Sequence, residues 1–243
     1  MSSPHARPAH PAVQRMAAVN RYLSQDFLGG PRLLKLSWVI NFQKGGTLPF
    51  VALLMLLYGN FSVEAWVYLA LHGSYGLVWL LKHFAFRDRS WEVKVTLGGA
   101  LNSFLFVLGP YWLMPWLLLS GVLGDRPSAS SALLGGAVAL HTLGVVIMIA
   151  SDAQKHFTLK VKRGLITDGM FKHIRHPNYL GEMMLYAAYA LLVRHWIPWL
   201  ILGWVWLGVF LVNMRMKEAS MSRYPEWAAY AARTGMLLPR LFG

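Results

Sequence analysis

The sequence SALLGGAVALHTLGVVIMIA at residues 131–150 contains no Asp, Glu, Lys or Arg, and SDAQKHFTLKVKR at residues 151–163 follows it directly. Roughly 20 consecutive apolar residues are what an α-helix needs to cross the hydrocarbon core of a membrane. The basic segment that follows would then lie at the membrane surface. Together the two segments predict a membrane-embedded helical protein.

Five further stretches of the 243-residue chain are similarly apolar, and hydrophobic residues make up 56% of it. In the third stretch, Gly109-Pro110 and Pro115 predict one kinked helix or a helix with a re-entrant turn, and the charge distribution favours a single crossing. The predicted fold is an all-α polytopic membrane protein with about six transmembrane helices, at Leu36–Tyr58, Glu64–Leu81, Val95–Leu123, Ser131–Ala150, Tyr179–Val193 and Trp196–Val212.

Basic residues are concentrated on one side of this predicted topology. The chain has 23 Lys and Arg against 10 Asp and Glu, a formal net charge of +13. With six crossings, 21 of the 23 lie on one side, in the segments that end at Lys44, run from Lys82 to Lys94 and from Lys155 to Arg175, and begin at Arg215. Because cytoplasmic loops carry the excess of Lys and Arg, both termini are predicted to be cytoplasmic.

The same charges indicate classes of partner. They lie between apolar runs and form no continuous basic stripe, so membrane lipids and a phosphorylated cofactor are predicted partners, whereas nucleic acid is not. No obligate protein partner is indicated. The chain has no cysteine, which excludes disulfides and thiolate catalysis. His173 and His176 lack a third ligand at a suitable spacing, so no metal site is predicted.

Three regions follow from this pattern. Residues 1–35 form a basic arm that ends in a predicted interfacial helix. Residues 36–150 contain the first four transmembrane helices and a predicted substrate cavity. Residues 151–243 carry most of the polar chemistry.

Polar side chains interrupt the predicted spans, where they are costly and usually face an interior. Gln43 and Lys44 lie in the first span, and His72 and Tyr75 share one face of the second because they are three residues apart. Gln43, His72 and Tyr75 are compatible with a ligand cavity and with hydrogen bonds between helices. For His141, alone on its apolar segment, bonding between helices is the favoured interpretation.

The motif RHPNYLGE at residues 175–182 is the most informative polar segment. Its proline suits the first turn of a helix, so nearby N–H groups stay free, and together with clustered Arg and His they would suit a phosphate. Glu182 enters the membrane there, where an acid needs a partner. Arg215 and Lys217 of the tail lie at the same predicted depth and are candidate partners for Glu182, and a cofactor amide or ribose is the other candidate.

This motif and the ending RYPEWAAYAARTGMLLP at residues 223–239 resemble the superfamily of steroid 5-alpha-reductases, sterol C14 and C7 reductases and isoprenylcysteine carboxyl methyltransferases. The methyltransferases follow the motif with two adjacent acids and an aromatic-Gly pair, where this chain has Lys217-Glu218 and Tyr224-Pro225. The reductases favour the Asn and the acid found here at 178 and 182. The chain is most similar to bacterial members of the steroid 5-alpha-reductase C-terminal domain family.

The resemblance implies a cytoplasm-facing NADPH pocket in the C-terminal half. The cofactor residues that match reductase positions are Asp152, Arg163, Asn178, Tyr179 and Glu182, with Asn213, Arg215 and Lys217 in the tail that closes over the cofactor. Charge and position add Lys155, Arg175, His176 and Tyr224.

In 5-alpha-reductases, a Gln-Glu pair in an early span and a Tyr in the next polarise the steroid carbonyl. Here Gln43 precedes Lys44, so the acid is missing, and the expected catalytic residues are Tyr75, Gln43 and Lys44. Three functions follow as expectations. The first is NADPH-dependent reduction of a conjugated double bond in a steroid or other isoprenoid lipid from the bilayer. The alternatives are S-adenosylmethionine-dependent methylation of a lipid and a non-enzymatic lipid-binding role.

Overall fold

The computed structural model describes residues 7–124 and 127–240, and helices make up nearly all of its regular structure. Turns of π-helix at Tyr22–Asp26, Phe104–Leu108 and Trp206–Phe210 continue or join α-helices. In chain order the elements are α1 (Pro11–Arg21), β1 (Leu34–Lys35), α2 (Leu36–Tyr58), α3 (Val63–Phe86), β2 (Lys94–Val95), α4 (Leu97–Ser103), α5 (Pro110–Leu119), α6 (Ser131–Val161), α7 (Pro177–Val193), α8 (Trp196–Val205), α9 (Leu211–Met221) and α10 (Trp227–Arg233).

Helices occupy all six predicted stretches, but fewer of them have the composition of a membrane crossing. Within the described residues, three are long and apolar enough: α2, α6, and the continuous run of α8 and α9. The pair α4 and α5 would be a fourth, and it is bent by 43° at Gly109, where the sequence predicts a kink. The six-span prediction is therefore supported for three or four spans, because α3 includes the charged residues Glu64 and Lys82 and α7 has only 17 residues.

The basic segments meet at one end of the helix bundle. The antiparallel pair β1–β2 joins the N-terminal segment to the loop after α3. An ion pair of 3.4 Å between Lys155 and Asp88 joins that loop to α6, and one of 2.7 Å between Arg175 and Glu218 joins the segment before α7 to α9. We call this the basic end.

The short loops meet at the opposite end. Asn60, after α2, donates a hydrogen bond of 3.4 Å to the carbonyl of Leu119, and Arg194, after α7, donates one of 2.6 Å to the carbonyl of Pro127. The chain therefore alternates between two ends through α2, α3, α4–α5, α6, α7 and α8–α9. Arg126, which the topology prediction assigned to this opposite side, lies outside the described residues.

Helices α6 and α7 pack backbone against backbone at two glycines. A Cβ atom added to Gly144 would lie 2.7 Å from the carbonyl oxygen of Gly181 and 2.7 Å from the amide nitrogen of Leu185. A Cβ on Gly181 would lie 2.5 Å from the carbonyl oxygen of Gly144. Small residues allow such close approach in membrane helices. The contact fixes the height of α7 against α6.

We expect Gly144→Ala to lower the unfolding temperature in detergent, because the added methyl group meets backbone atoms that cannot turn aside. Gly135→Ala, on the same helix but with open space around its Cβ, is the matched control. Replacing a helical Gly by Ala otherwise stabilises a helix by about 0.5–1 kcal/mol, so the control should be neutral or slightly more stable. Equal unfolding temperatures for the two variants would contradict the packing.

Candidate functional site

A cavity of about 700 Å³ opens at the basic end, between the last turns of α3 and α6. α6 continues through Val161, beyond the predicted end of its span, and its extra turns form one wall. The loop after α3 forms the other. Six basic side chains line the cavity, against two acids: Lys82, Arg87, Arg89, Lys155, Lys160 and Arg163, with Asp88 and Asp152.

Two ion pairs cross this cavity. Lys82 and Asp152 bond directly, and both side chains are nearly buried, at 7% and 12% exposed. Lys155 and Asp88 form the more exposed pair. Partial burial would raise the pKa of Asp88, but the charge of Lys155 and hydrogen bonds from Ser90 outweigh it and lower that pKa to about 2. Each acid is therefore already paired with a lysine, and the remaining basic groups give the cavity its positive charge.

Aromatic rings stand at the same wall. Phe86 lies 6.1 Å from His156 and 6.0 Å from Phe157, measured between ring centroids, and the latter two are 5.1 Å apart. Phe86 and His156 also line the cavity. The cavity thus combines cationic groups with flat apolar faces.

A second group of polar side chains lies deeper in the bundle, around Lys44 of α2. Its ammonium donates hydrogen bonds to the hydroxyls of Tyr186 and, at 3.5 Å, Tyr75. Tyr75 in turn donates to Oε1 of Glu182 at 3.2 Å. We call Lys44, Tyr75, Glu182 and Tyr186 the buried cluster.

Aromatic faces surround the Lys44 ammonium. Their ring centroids lie 4.7 Å away for Tyr75, 5.2 Å for Trp79, 5.8 Å for Tyr111 and 4.8 Å for Tyr186. Such contacts stabilise a desolvated cation. The side chain is only 4% exposed, so the rings replace much of its hydration.

Trp79 connects the buried cluster to the cavity. The Lys82 ammonium lies 4.6 Å from the Trp79 ring, which also faces Lys44. The indole N–H of Trp79 donates a hydrogen bond of 3.1 Å to Oδ1 of Asn41, which fixes the orientation of the ring. The Trp79 ring therefore faces both a lysine of the cavity wall, Lys82, and a lysine of the buried cluster, Lys44.

Of the predicted cofactor residues, three line the cavity: Asp152, Lys155 and Arg163. Tyr179 accepts a hydrogen bond of 3.1 Å from Lys217, and Asn213 interacts with the same hydroxyl. These contacts bring the start of α7 and the tail together, as the sequence predicts.

Other predicted residues have different surroundings. Arg175 bonds Glu218 and the carbonyls of Ala231 and Thr234, so it ties the C-terminal segment to the start of α7 and does not line the cavity. His176 lies 3.7 Å from the same acid, and burial lowers its pKa although Glu218 opposes the shift.

The remaining predicted residues lie nearer the surface. Asn178 is half-buried in the first turn of α7. Tyr224 accepts a hydrogen bond from Arg223 at 3.2 Å.

The prediction that Arg215 or Lys217 forms the hydrogen bond to Glu182 is wrong. Arg215 pairs instead with Glu218, at 3.2 Å, and Lys217 bonds Tyr179. The partner of Glu182 is Tyr75 of α3, whose hydroxyl donates a hydrogen bond to it at 3.2 Å.

Sequence reasoning missed Lys82, Trp79, Tyr111 and Tyr186. A signal for Tyr186 was present, since Tyr179, Glu182, Tyr186 and Tyr189 recur at helical spacing on one face of α7. Lys82 was counted as a loop charge, although it is buried at 7% exposed.

A histidine and tyrosine group lies toward the opposite end. Tyr68 and Nδ1 of His72 are 3.1 Å apart, His72 stacks on Tyr189 at 4.1 Å, and His141 lies 3.0 Å from the Tyr189 hydroxyl. His141 therefore bonds between helices, as expected. Gln43 is fully buried, and neither atom of its amide has a hydrogen-bond partner among the described residues.

Comparison with known proteins finds relatives of unknown role. The family DUF1295, described as a protein of unknown function, matches residues 26–234. An uncharacterized protein of Schizosaccharomyces pombe is 30% identical over 157 residues, 63% of this chain and 54% of the relative. A second from the same yeast is 33% identical over 95 residues, 37% of this chain and 28% of the relative. The chain thus spans about half, or less, of the length of these relatives. No solved structure matches.

We expect Asp152→Asn to destabilise the protein by about 3–5 kcal/mol, because it leaves the Lys82 ammonium buried without a counter-charge. Asp88→Asn breaks the exposed pair with Lys155 and should cost at most about 1 kcal/mol. Unfolding in detergent measures both, and the double variant Lys82→Gln with Asp152→Asn should regain most of the loss. If the two single variants lost the same stability, the Lys82–Asp152 pair would not be a buried one.

Proposed function

Because the chain belongs to the family DUF1295, whose function is unknown, we propose its activity from the site: a membrane-embedded, NADPH-dependent reductase of a conjugated carbon–carbon double bond in a steroid or other isoprenoid lipid. One observation carries the proposal. A strongly basic cavity lies close to a buried group of hydrogen-bond donors, and the Trp79 ring faces a lysine of each.

The residues at the cavity fit a phosphorylated dinucleotide. After the two acids are paired, Arg89, Lys160 and Arg163 remain to bond phosphate oxygens, while Arg87 already lies 3.9 Å from Glu92. Arg suits phosphate through its fixed donor geometry. Ligand pockets commonly measure about 300–1,000 Å³, a range that includes this cavity. The rings of Phe86 and His156 offer faces for a purine. Bound NADPH would supply a hydride, while the protein orients and polarises the acceptor.

The same lining disfavours S-adenosylmethionine. That cofactor has no phosphate and carries a sulfonium cation, which the net positive charge of the cavity would repel. The methyltransferase alternative is tested by the binding of S-adenosylmethionine, which the unfolding measurements below include. A protein that binds neither cofactor would favour the non-enzymatic role.

The position of the buried cluster inside an apolar helix bundle favours a lipid as the acceptor of the hydride. The buried cluster lies inside a bundle whose outer faces carry exposed apolar side chains, including Leu53, Leu56 and Phe84. A hydrophobic substrate dissolved in the bilayer could enter between helices without crossing water. Donors of the buried cluster would then polarise its oxygen.

We also propose six crossings with both termini in the cytoplasm. The alternation of the chain between two ends supports this arrangement, as does the gathering of basic segments at one end. α7 is about 26 Å long at 1.5 Å per residue, slightly less than a bilayer core of about 30 Å. Its polar N-terminus would lie within the cytoplasmic interface.

NADPH should raise the unfolding temperature of the purified protein more than NADH does, and S-adenosylmethionine should leave it unchanged, because a ligand that binds only the folded state stabilises it. Arg163→Ala should weaken NADPH roughly tenfold through loss of a charge-assisted hydrogen bond to the 2′-phosphate.

Lys162→Ala is the matched control for Arg163→Ala. It removes a neighbouring positive charge that does not line the cavity. Equal weakening of NADPH and NADH by Arg163→Ala would remove 2′-phosphate recognition from this residue. Stabilisation by S-adenosylmethionine alone would replace the reductase with a methyltransferase.

Single cysteines test the topology, since the chain has none of its own. In intact cells an impermeant thiol reagent should label Ser128→Cys and should reach Asp168→Cys only after the cells are opened. Both positions are exposed, so accessibility in the folded protein does not limit the reaction. Labelling of Asp168→Cys from outside would reverse the proposed orientation.

A further inference from the structure

The hydroxyl of Tyr75 already takes part in hydrogen bonds both as a donor and as an acceptor. Its proton goes to Oε1 of Glu182, and its oxygen accepts from Lys44. A phenol has only one O–H to donate. Tyr75 therefore cannot polarise a substrate oxygen without giving up Glu182, although the resemblance assigns it that role.

The O–H of Tyr186 is held less firmly than that of Tyr75. Its oxygen accepts a hydrogen bond from Lys44, and its hydroxyl also pairs with the hydroxyl of Tyr75, a neutral partner, whereas the proton of Tyr75 is held by a carboxylate. The Lys44 ammonium has three N–H groups and uses two of them on the tyrosines. The third N–H of Lys44 is thus available to an incoming oxygen, and the O–H of Tyr186 can turn to the same oxygen by leaving only the neutral oxygen of Tyr75.

The buried positive charge of Lys44 would also be stabilised by such an oxygen. Among the described side chains, no carboxylate lies within ion-pair distance of its ammonium; the charge of Glu182 acts on it from beyond that distance, and Tyr75 is hydrogen-bonded to both. A buried cation without a direct counter-ion is costly, and ring faces compensate for only part of the lost hydration. A ligand oxygen that bears negative charge would supply the missing partner.

We propose that Lys44 and Tyr186 form an oxyanion site, which binds the enolate- or phenolate-type oxygen of an apolar ligand inside the bundle. The identity of that oxygen as the carbonyl of a reductase substrate rests on the proposed function. Tyr75 and Glu182 position Lys44 and do not touch the ligand.

The site suits the electron flow of such a reduction. Addition of a hydride to the β-carbon, with NADPH oxidised to NADP⁺, breaks the carbon–carbon π bond and moves an electron pair to the carbonyl oxygen. Lys44 and Tyr186 would hold the resulting enolate. The α-carbon then takes a proton from solvent and the carbonyl re-forms, which leaves the saturated ketone.

Binding of 2-naphthol to the full-length protein in detergent tests the site without any cofactor. At neutral pH the free probe is protonated, so absorption from bound naphtholate reports stabilisation of the oxyanion. We expect that band with the unmodified protein, and at least a roughly tenfold weaker naphtholate affinity in Tyr186→Phe and in Lys44→Met, from loss of one donor to an anion.

Tyr111→Phe is the matched control. Its ring stacks on Tyr186 at 4.1 Å and stays in place, and no hydrogen bond of its hydroxyl is found in the described part of the chain. The control should keep the naphtholate band. If Lys44→Met does not fold, Tyr186→Phe, which keeps its ring, carries the test.

Two results would overturn the proposal: no naphtholate band with the unmodified protein, or a band that survives Tyr186→Phe and disappears in Tyr75→Phe. The second would return the donor role to Tyr75. Naphtholate binding without any stabilisation by NADPH would reject the reductase and retain the oxyanion site. NADPH stabilisation without naphtholate binding would reject the oxyanion site alone.

Discussion

The contact between Gly144 and Gly181 is the constraint on which the site depends. Because the two backbones touch there, neither helix can slide or rotate without a clash. Gly181 directly precedes Glu182, so the contact also sets the height at which this acid faces α3. Eight residues beyond Gly144, Asp152 begins the turns of α6 that form the cavity wall. One backbone contact thus places a member of the buried cluster and a residue of the cavity on facing helices.

Charged side chains inside an apolar bundle need local compensation, and the protein uses two forms of it. Lys82 is held by a direct ion pair with Asp152, which satisfies both groups. Lys44 has tyrosine hydroxyls, aromatic faces and the charge of Glu182 beyond Tyr75, but no carboxylate of the described residues within ion-pair distance, so its compensation is incomplete. The difference separates a structural pair from a group whose strongest partner would be a ligand. The Trp79 ring faces both lysines, so its attraction offsets part of the repulsion between the two cations.

Much of the architecture could be predicted from the sequence, because length and apolarity report directly on helices in a membrane. The six helical stretches, the bend at Gly109 and the gathering of basic segments all followed from composition. The number of crossings did not follow as securely, because buried charges such as Lys82 lower the apolarity of α3 without ending the helix. Predictions for the site failed where partners were chosen by depth alone. Glu182 and Arg215 lie at a similar predicted depth, but each bonds a nearer group, Tyr75 and Glu218. Rotation of a helix about its axis decides such pairings, and one sequence constrains it only through periodicity.

The departure from the reductase pattern at Lys44 acquires a physical meaning in this setting. The pattern places an acid after Gln43, and here a lysine occupies that position while Glu182 stands across Tyr75. An acid at position 44 would have to share its proton with a substrate oxygen, whereas an ammonium brings a positive charge that gains most when that oxygen becomes charged. Glu182 holds the Tyr75 proton, so the Tyr75 oxygen stays turned toward the Lys44 ammonium as an acceptor. On the proposed function, the exchange would favour acceptors whose oxygen develops a full negative charge during reduction. It would disfavour acceptors that need early protonation. The position that departs from the family pattern would therefore tune the chemistry of the site without abolishing it.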